Sequence, residues 1–259
     1  MIQLFFCHIA LFLSISVNAE TIRITNGEWQ PYLSEFSYEY GLSSHIVTEA
    51  FKLEGIDVEY GFFPWKRSYE LAKNAKGWDA SAVWWPTEAA KKDFYVSAPV
   101  IETYNVFFHL KSEKFDWKQL KDIEGLSVGI TEGYDYGEEF AALVAKRKII
   151  VQVDSSDEEN YRKLLAKKIK IFPNDPVVGY AQLRDIFTPE KLRLFTNHHK
   201  KFEQRTLNLL ISKKCKKGFY YLKKFNSGLL KLQKSGRLKE MFKDLDVGVY
   251  NKQSKIWSR

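Results

Sequence analysis

Thr21-Ile-Arg-Ile-Thr-Asn-Gly-Glu-Trp-Gln-Pro-Tyr32 is an alternating polar and apolar run that breaks at Gly27 into a tryptophan and a proline. The period of two over Thr21–Asn26 reads as a β-strand. The same ending recurs twice downstream. Phe62-Phe-Pro-Trp-Lys-Arg67 closes a second strand, Ile56–Phe63, and Trp84-Trp-Pro86 closes a third, Asp79–Trp85. Helical periods separate them: Tyr40–Glu54, stopped by Gly55, and Trp65–Lys76, with Pro64 at its start and Gly77 at its end. Proline and glycine are favoured at those two positions. Strands alternating with helices of this length predict an α/β chain of βαβ units with parallel sheets.

Thr103–Leu110 is a further strand, after which the pattern restarts. Strands are expected at Ser127–Thr131, Lys148–Val153, Ile169–Phe172, Leu192–Phe195 and Thr206–Ile211. Helices are expected at Tyr136–Lys146, Asp157–Lys168 and Pro176–Ile186, with two more filling the C-terminus. No low-complexity linker divides the chain. The last strand and helices look like a return to the first set, so two interleaved α/β lobes joined at a hinge are expected. Residues 20–107 with 205–259 would form the first lobe and 108–204 the second, with crossings near Tyr104–His109 and Leu194–Arg205. Open α/β sheets bind ligands beyond the carboxyl ends of their strands, so two facing sheets make a cleft between lobes.

Residues 1–19 are apolar, carry no Lys, Arg, Asp or Glu, and close on Val17-Asn18-Ala19. That reads as a signal peptide, with the charged chain starting at Glu20 and the periplasm of a Gram-negative bacterium as its destination. No basic segment precedes the apolar run, so an uncleaved anchor stays open. Beyond Cys7 there is only Cys215, which rules out a disulfide-stapled secreted fold. The net charge of +8 does not point to nucleic acid. Gly218, Leu222, Phe225, Leu229 and Leu232 form a buried helical stripe, and lysines 216, 217, 223, 224, 231 and 234 fall off it.

Catalytic signatures are scarce. His45, His109, His198 and His199 make no zinc spacing, and there is no nucleophile elbow or Gly-rich phosphate loop. His198 and His199 read as a solvated connection. Cys215 lies among lysines that would lower its pKa, yet a structural thiol is the better reading. No metal and no cofactor are expected. The tryptophans say more. Core packing and a ligand wall are both open to such a cluster, and its place at three strand ends beside prolines favours the wall.

Further matches extend this pattern: Ile22 through Tyr32, Pro64-Trp-Lys-Arg67, Trp78-Asp-Ala80, Thr87-Glu88 with Ser97-Ala-Pro99, Val128-Gly-Ile-Thr-Glu-Gly133 and Ile171-Phe-Pro-Asn-Asp175. In their order and spacing the chain resembles the extracytoplasmic solute-binding proteins of the polar amino acid ABC-transporter family (bacterial solute-binding protein family 3). The resemblance covers nearly all of the chain after residue 19. It implies a type II periplasmic-binding fold and a non-enzymatic role: capture of a small polar or amino-acid-like molecule for ABC-type uptake.

By the same resemblance, Trp29, with Tyr32 in the same aromatic segment, matches the aromatic that lies against the ligand. Trp84 matches a wall position. Gly133-Tyr134-Asp135-Tyr136 matches a helix start that receives a carboxylate, and Asp175 matches the partner of a ligand ammonium. The family's carboxylate-gripping arginine falls at Ala90, or Lys91 with a one-residue shift. Arg67 is the expected substitute cation, with a plain surface role equally open to it. Expected partners are a small-molecule ligand and an inner-membrane ABC permease, with the protein itself a monomer. Two other readings stay open. One is a cyclohexadienyl dehydratase-like enzyme using Glu28, Glu102 or Asp175 as its acid; the other is a binding protein that feeds a membrane sensor.

Overall fold

The computed structural model describes residues 20–251. The expected signal segment and Cys7 lie outside the described residues. The first half of the chain runs β1 (Glu20–Asn26), α1 (Leu42–Lys52), β2 (Ile56–Phe62), α2 (Trp65–Lys73), β3 (Ala80–Trp84), α3 (Glu88–Asp93) and β4 (Phe94–Leu110). It continues with β5 (Ser127–Thr131), α4 (Glu138–Ala145), β6 (Ile150–Asp154), α5 (Asp157–Leu165), β7 (Phe172–Asn174) and α6 (Pro176–Ile186). It ends with α7 (Pro189–Leu192), β8 (Phe195–Asn197), β9 (Phe202–Ser212), α8 (Gly218–Ser235) and α9 (Arg237–Asp246).

β1 pairs in parallel with β2, from Glu20 opposite Ile56 to Asn26 opposite Phe62, and with β3 on its other side. From there the expected all-parallel sheet fails. β9 runs antiparallel to both β3 and β4. β4 pairs antiparallel with β7 and β8 beyond it. Parallel order returns in β5–β6 and in the bridge from Val128 to Ile171. The sheet is mixed because β4 and β9 are long enough to pass from one set of strands to the other as a single ribbon.

The strand expected at Thr103–Leu110 is only the second half of β4. Its first half is disguised by Ser97-Ala-Pro99, which carries a turn-like composition. Pro99 has no N–H to give a ladder, and the pairing with β9 shifts register on both sides of it. α3 also goes unread in the sequence. It is short, and its start is fixed by the Thr87 side chain, which accepts the Ala90 N–H. Leu192, expected in a strand, instead ends α7, and β8 begins at Phe195.

Alternation along β4 feeds different cores. Phe107 packs with Trp117, Phe140 and Ile171, whereas Phe108 packs with Tyr161, Phe172 and Phe195. Neighbouring residues of a strand face opposite sides, so one dipeptide serves two clusters. At the other end Ile22, Ile24, Val47, Phe51, Phe225 and Leu229 make the core in which α1 and α8 cover the β1–β3 sheet. The lysines of α8 stay outside it, and Lys224 and Lys231 both pair with Glu54.

α8 approaches α1 closely at Gly228, where an added Cβ would collide with the carbonyl of Ala50. Gly→Ala inside a helix ordinarily gains about 1 kcal/mol. Here overpacking should reverse the sign, and Gly228→Ala is expected to lose about 1–3 kcal/mol of stability. Urea unfolding measures it, and a midpoint at or above that of the parent would mean that the helices tolerate the methyl group.

Candidate functional site

A cavity of about 480 Å³ opens where the strand ends meet. Trp29 reaches it from beyond β1, Trp65 from the first residue of α2, and Trp84 and Trp85 from the end of β3. β4 contributes Tyr104, the loop after β5 contributes Glu132 through Tyr136, the β7–α6 junction contributes Asp175, and β9 contributes Glu203 and Arg205. Both sets of strands therefore wall it.

The tryptophans are held by their surroundings. A two-way turn joins Trp29 to Leu33, with the Trp29 N–H donating to the Leu33 carbonyl at 2.7 Å. The ring of Tyr32 lies 4.8 Å from that of Trp29. Tyr32 is buried and sits behind Trp29, outside the cavity lining. Trp65 lies over Gly27, where any side chain would strike its indole. Its ring stands edge-on to Trp84 at 5.1 Å. Trp84 donates Nε1–H to Ser81 Oγ at 2.8 Å and meets Tyr69 at 5.3 Å. These contacts fix the indole planes before any ligand arrives.

Asp175 is both wall and cap. Its Oδ1 accepts the N–H groups of Val177 and Val178 at 2.8 and 3.1 Å, which starts α6. The residue is only 5% exposed. Burial outweighs the amide hydrogen bonds and pushes its carboxyl up to about 6. Next to it the Asn174 amide is locked by Tyr161 and Gln182.

Arg67 does not reach the cavity. It is exposed, and its guanidinium lies 5.0 Å from the Phe63 ring. Two residues along a helix turn the side chain by about 200°, so with Trp65 facing inward Arg67 faces out. The cation in the cavity is Arg205, which the sequence pattern does not single out. Its guanidinium stacks on Trp85 at 3.8 Å and pairs with Glu203 at 2.7 Å and Asp135 at 3.2 Å.

Position 90 holds no cation either. Ala90 is buried with Ala72, Phe94 and Leu210, while Lys91 points outward to Glu88. The helix start expected at Gly133–Tyr136 lies slightly later. α4 begins at Glu138 behind Gly137, whose φ of +93° favours glycine. The Gly137 N–H donates to Asp135 Oδ1 at 2.9 Å, and the Glu203 carboxylate rests against Gly137. Tyr134 and Tyr136 do line the cavity, and Tyr136 Oη accepts the Thr131 N–H.

Elsewhere, His198 is buried rather than solvated, within 2.9 Å of Asp116. Cys215 is pushed up to about 11 by burial and by Asp79 beside it, so the flanking lysines do not activate it. Among the described residues no cluster of His, Cys, Asp and Glu is arranged to hold a metal ion, and no helix is long and apolar enough to cross a membrane.

No protein-family model and no curated protein sequence matches the chain. Solved structures do. A histidine kinase sensor domain with similarity to periplasmic binding proteins superposes with a TM-score of 0.70 at 15% identity, covering 88% of this chain and 96% of that one. An ancestral arginine-binding protein bound to arginine gives 0.68 at 17% identity, with 87% and 97% covered. The second substrate-binding domain of Lactococcus lactis GlnP, in an open conformation, gives 0.64 at 16%, with 90% and 96% covered. Residues 20–251 have the fold of the type II periplasmic-binding-protein-like domains.

Proposed function

We propose that this chain is a periplasmic solute-binding protein that captures a small molecule between two lobes and delivers it to an inner-membrane ABC permease. The observation that carries this is the aromatic cavity built by strand ends from both sets of strands, in a fold whose solved examples include arginine- and glutamine-bound proteins. β9 pairs with β3 in one set, β4 pairs with β7 and β8 in the other, and the two pair with each other, so this ribbon serves as the hinge between residues 20–107 plus 205–259 and residues 108–204. Export rests on residues 1–19 acting as a signal peptide, which N-terminal sequencing of the periplasmic form tests. The protein works as a monomer.

Likeness to a histidine kinase sensor domain favours a second reading in which the closed form reports to a membrane sensor. The dehydratase reading has less support. Of Glu28, Glu102 and Asp175 only Asp175 lines the cavity, and Asp175 is committed to capping α6.

The reading is tested by a thermal-shift screen over amino acids, amines, organic acids and aromatic metabolites. A ligand at a hundredfold excess over Kd adds about 2.7 kcal/mol of stability. Absence of a shift with every class would remove the solute-binding reading. For the ligand that is found, Trp29→Ala and Trp84→Ala should each weaken binding roughly tenfold or more, because stacking on an indole is worth about 1–3 kcal/mol. Arg67→Ala should stay within about twofold of the parent in calorimetry. An equal loss in all three would put Arg67 back in the site.

Asp175 also predicts a pH signature in the free protein. Its carboxyl is raised from 3.8 to about 6 on folding, so the folded state disfavours its ionisation. The cost is absent below about pH 4 and complete above about pH 6. Asp175→Asn keeps a capping side chain and removes that cost. The variant should therefore gain stability relative to the parent as pH rises through this window, on the order of 2–3 kcal/mol. Parallel stability curves for the two proteins from pH 4 to 7 would show that the carboxyl is not strained by burial.

A further inference from the structure

The cavity is unbalanced in charge. Glu132, Asp135, Asp175 and Glu203 line it, against Arg205 alone. Arg205 is already committed, since Glu203 and Asp135 hold it on the face of Trp85. Lys201, the other nearby cation, lies over the Tyr104 ring at 3.8 Å and is not part of the lining. Among the described residues neither Glu132 nor Asp175 has a cationic partner, so a water-excluding closure would bury at least one uncompensated negative charge, which is costly unless the ligand supplies the opposite charge.

The cavity offers a carboxylate little. The start of α4, the helix N-terminus beside it, is taken by the chain's own acids: Asp135 accepts the Gly137 N–H, and the Glu203 carboxylate lies on Gly137. A carboxylate brought there would face the negative charge of Asp135 and Glu203. The indoles of Trp29, Trp65 and Trp84 also line the cavity. Indole faces attract cations, and do so best when water is excluded. The stacking of Arg205 on Trp85 shows the same chemistry within the cavity itself.

From this we infer that the cleft selects an organic cation without a carboxylate, an amine or quaternary ammonium whose charge sits between the indole wall and Asp175. This rests on the solute-binding reading above. It excludes the parent amino acids, whose α-carboxylate would meet the cavity's own acids.

The test uses calorimetry on the full mature chain with pairs that differ only in the carboxylate: agmatine and arginine, cadaverine and lysine, tyramine and tyrosine, choline and betaine. At least one cation should bind, and more than tenfold tighter than its carboxylated partner. Asp175→Asn, which keeps the helix cap, should lower that affinity by more than tenfold, and Glu132→Gln by a smaller factor. Tighter binding of the carboxylated partner, or preference for a neutral or anionic compound, overturns the inference while leaving solute binding intact. Failure of every compound, charged or not, removes solute binding itself and this inference with it. Unchanged affinity in both Asp175→Asn and Glu132→Gln, with circular dichroism confirming the fold, also overturns it.

Discussion

The antiparallel ladder between β4 and β9 is the constraint on which the rest of the molecule depends. It runs from Phe94 opposite Ser212 to Asn105 opposite Phe202. At one end it lies beside β3 and shares the core covered by α1 and α8. At the other, β4 alone continues to β7 and β8 and splits its side chains between two aromatic clusters. The cavity sits where this ribbon passes between the two sets, so Tyr104 and Arg205 enter it from the ribbon itself. In the solute-binding reading, a change in the ribbon's bend would move both walls at once.

Charge and aromaticity in the cavity belong to different parts of the chain. The indoles come from β1, α2 and β3, whereas Glu132, Asp135 and Asp175 come from elements after β4. One side is a wall of partly buried aromatics, the other a set of acids with Asp175 buried among them. In the closed form proposed above, the apolar wall would meet the negative one at a lowered dielectric, which would strengthen their combined preference for a cation. Arg205 already joins the sides through Trp85 and Asp135.

Much of this was legible in the sequence for a physical reason. Strands with period two and helices bounded by proline and glycine carry their own local signals, and β1, α1, β2, α6 and the C-terminal helices lie where those signals put them. The tryptophans pointed to the cavity because they stand beside prolines at strand ends, and there Trp29 and Trp65 line the cavity while also packing against the core. What stayed hidden depends on partners distant in the chain. Arg205 belongs to the site through Trp85 and Asp135, and nothing in Glu203-Gln-Arg205 marks it. Arg67 shares a motif with Trp65 but not a helix face. The first half of β4 looks like a turn until β9 is laid beside it across the irregularity at Pro99.

Asp175 performs two tasks with one side chain, since the carboxylate that faces the cavity also starts α6. This narrows the routes by which such a cleft can diverge during evolution. Replacing Asp175 by lysine or alanine to admit another solute would strip the cap from α6 at the same step, and selection would see a damaged helix before a new specificity. Asparagine, serine and threonine are the open exits, each of which keeps the cap and discards the charge. If the cleft selects cations, a descendant lineage would pass from cationic to neutral solutes in one substitution, and reach anionic ones only after a second change elsewhere in the wall.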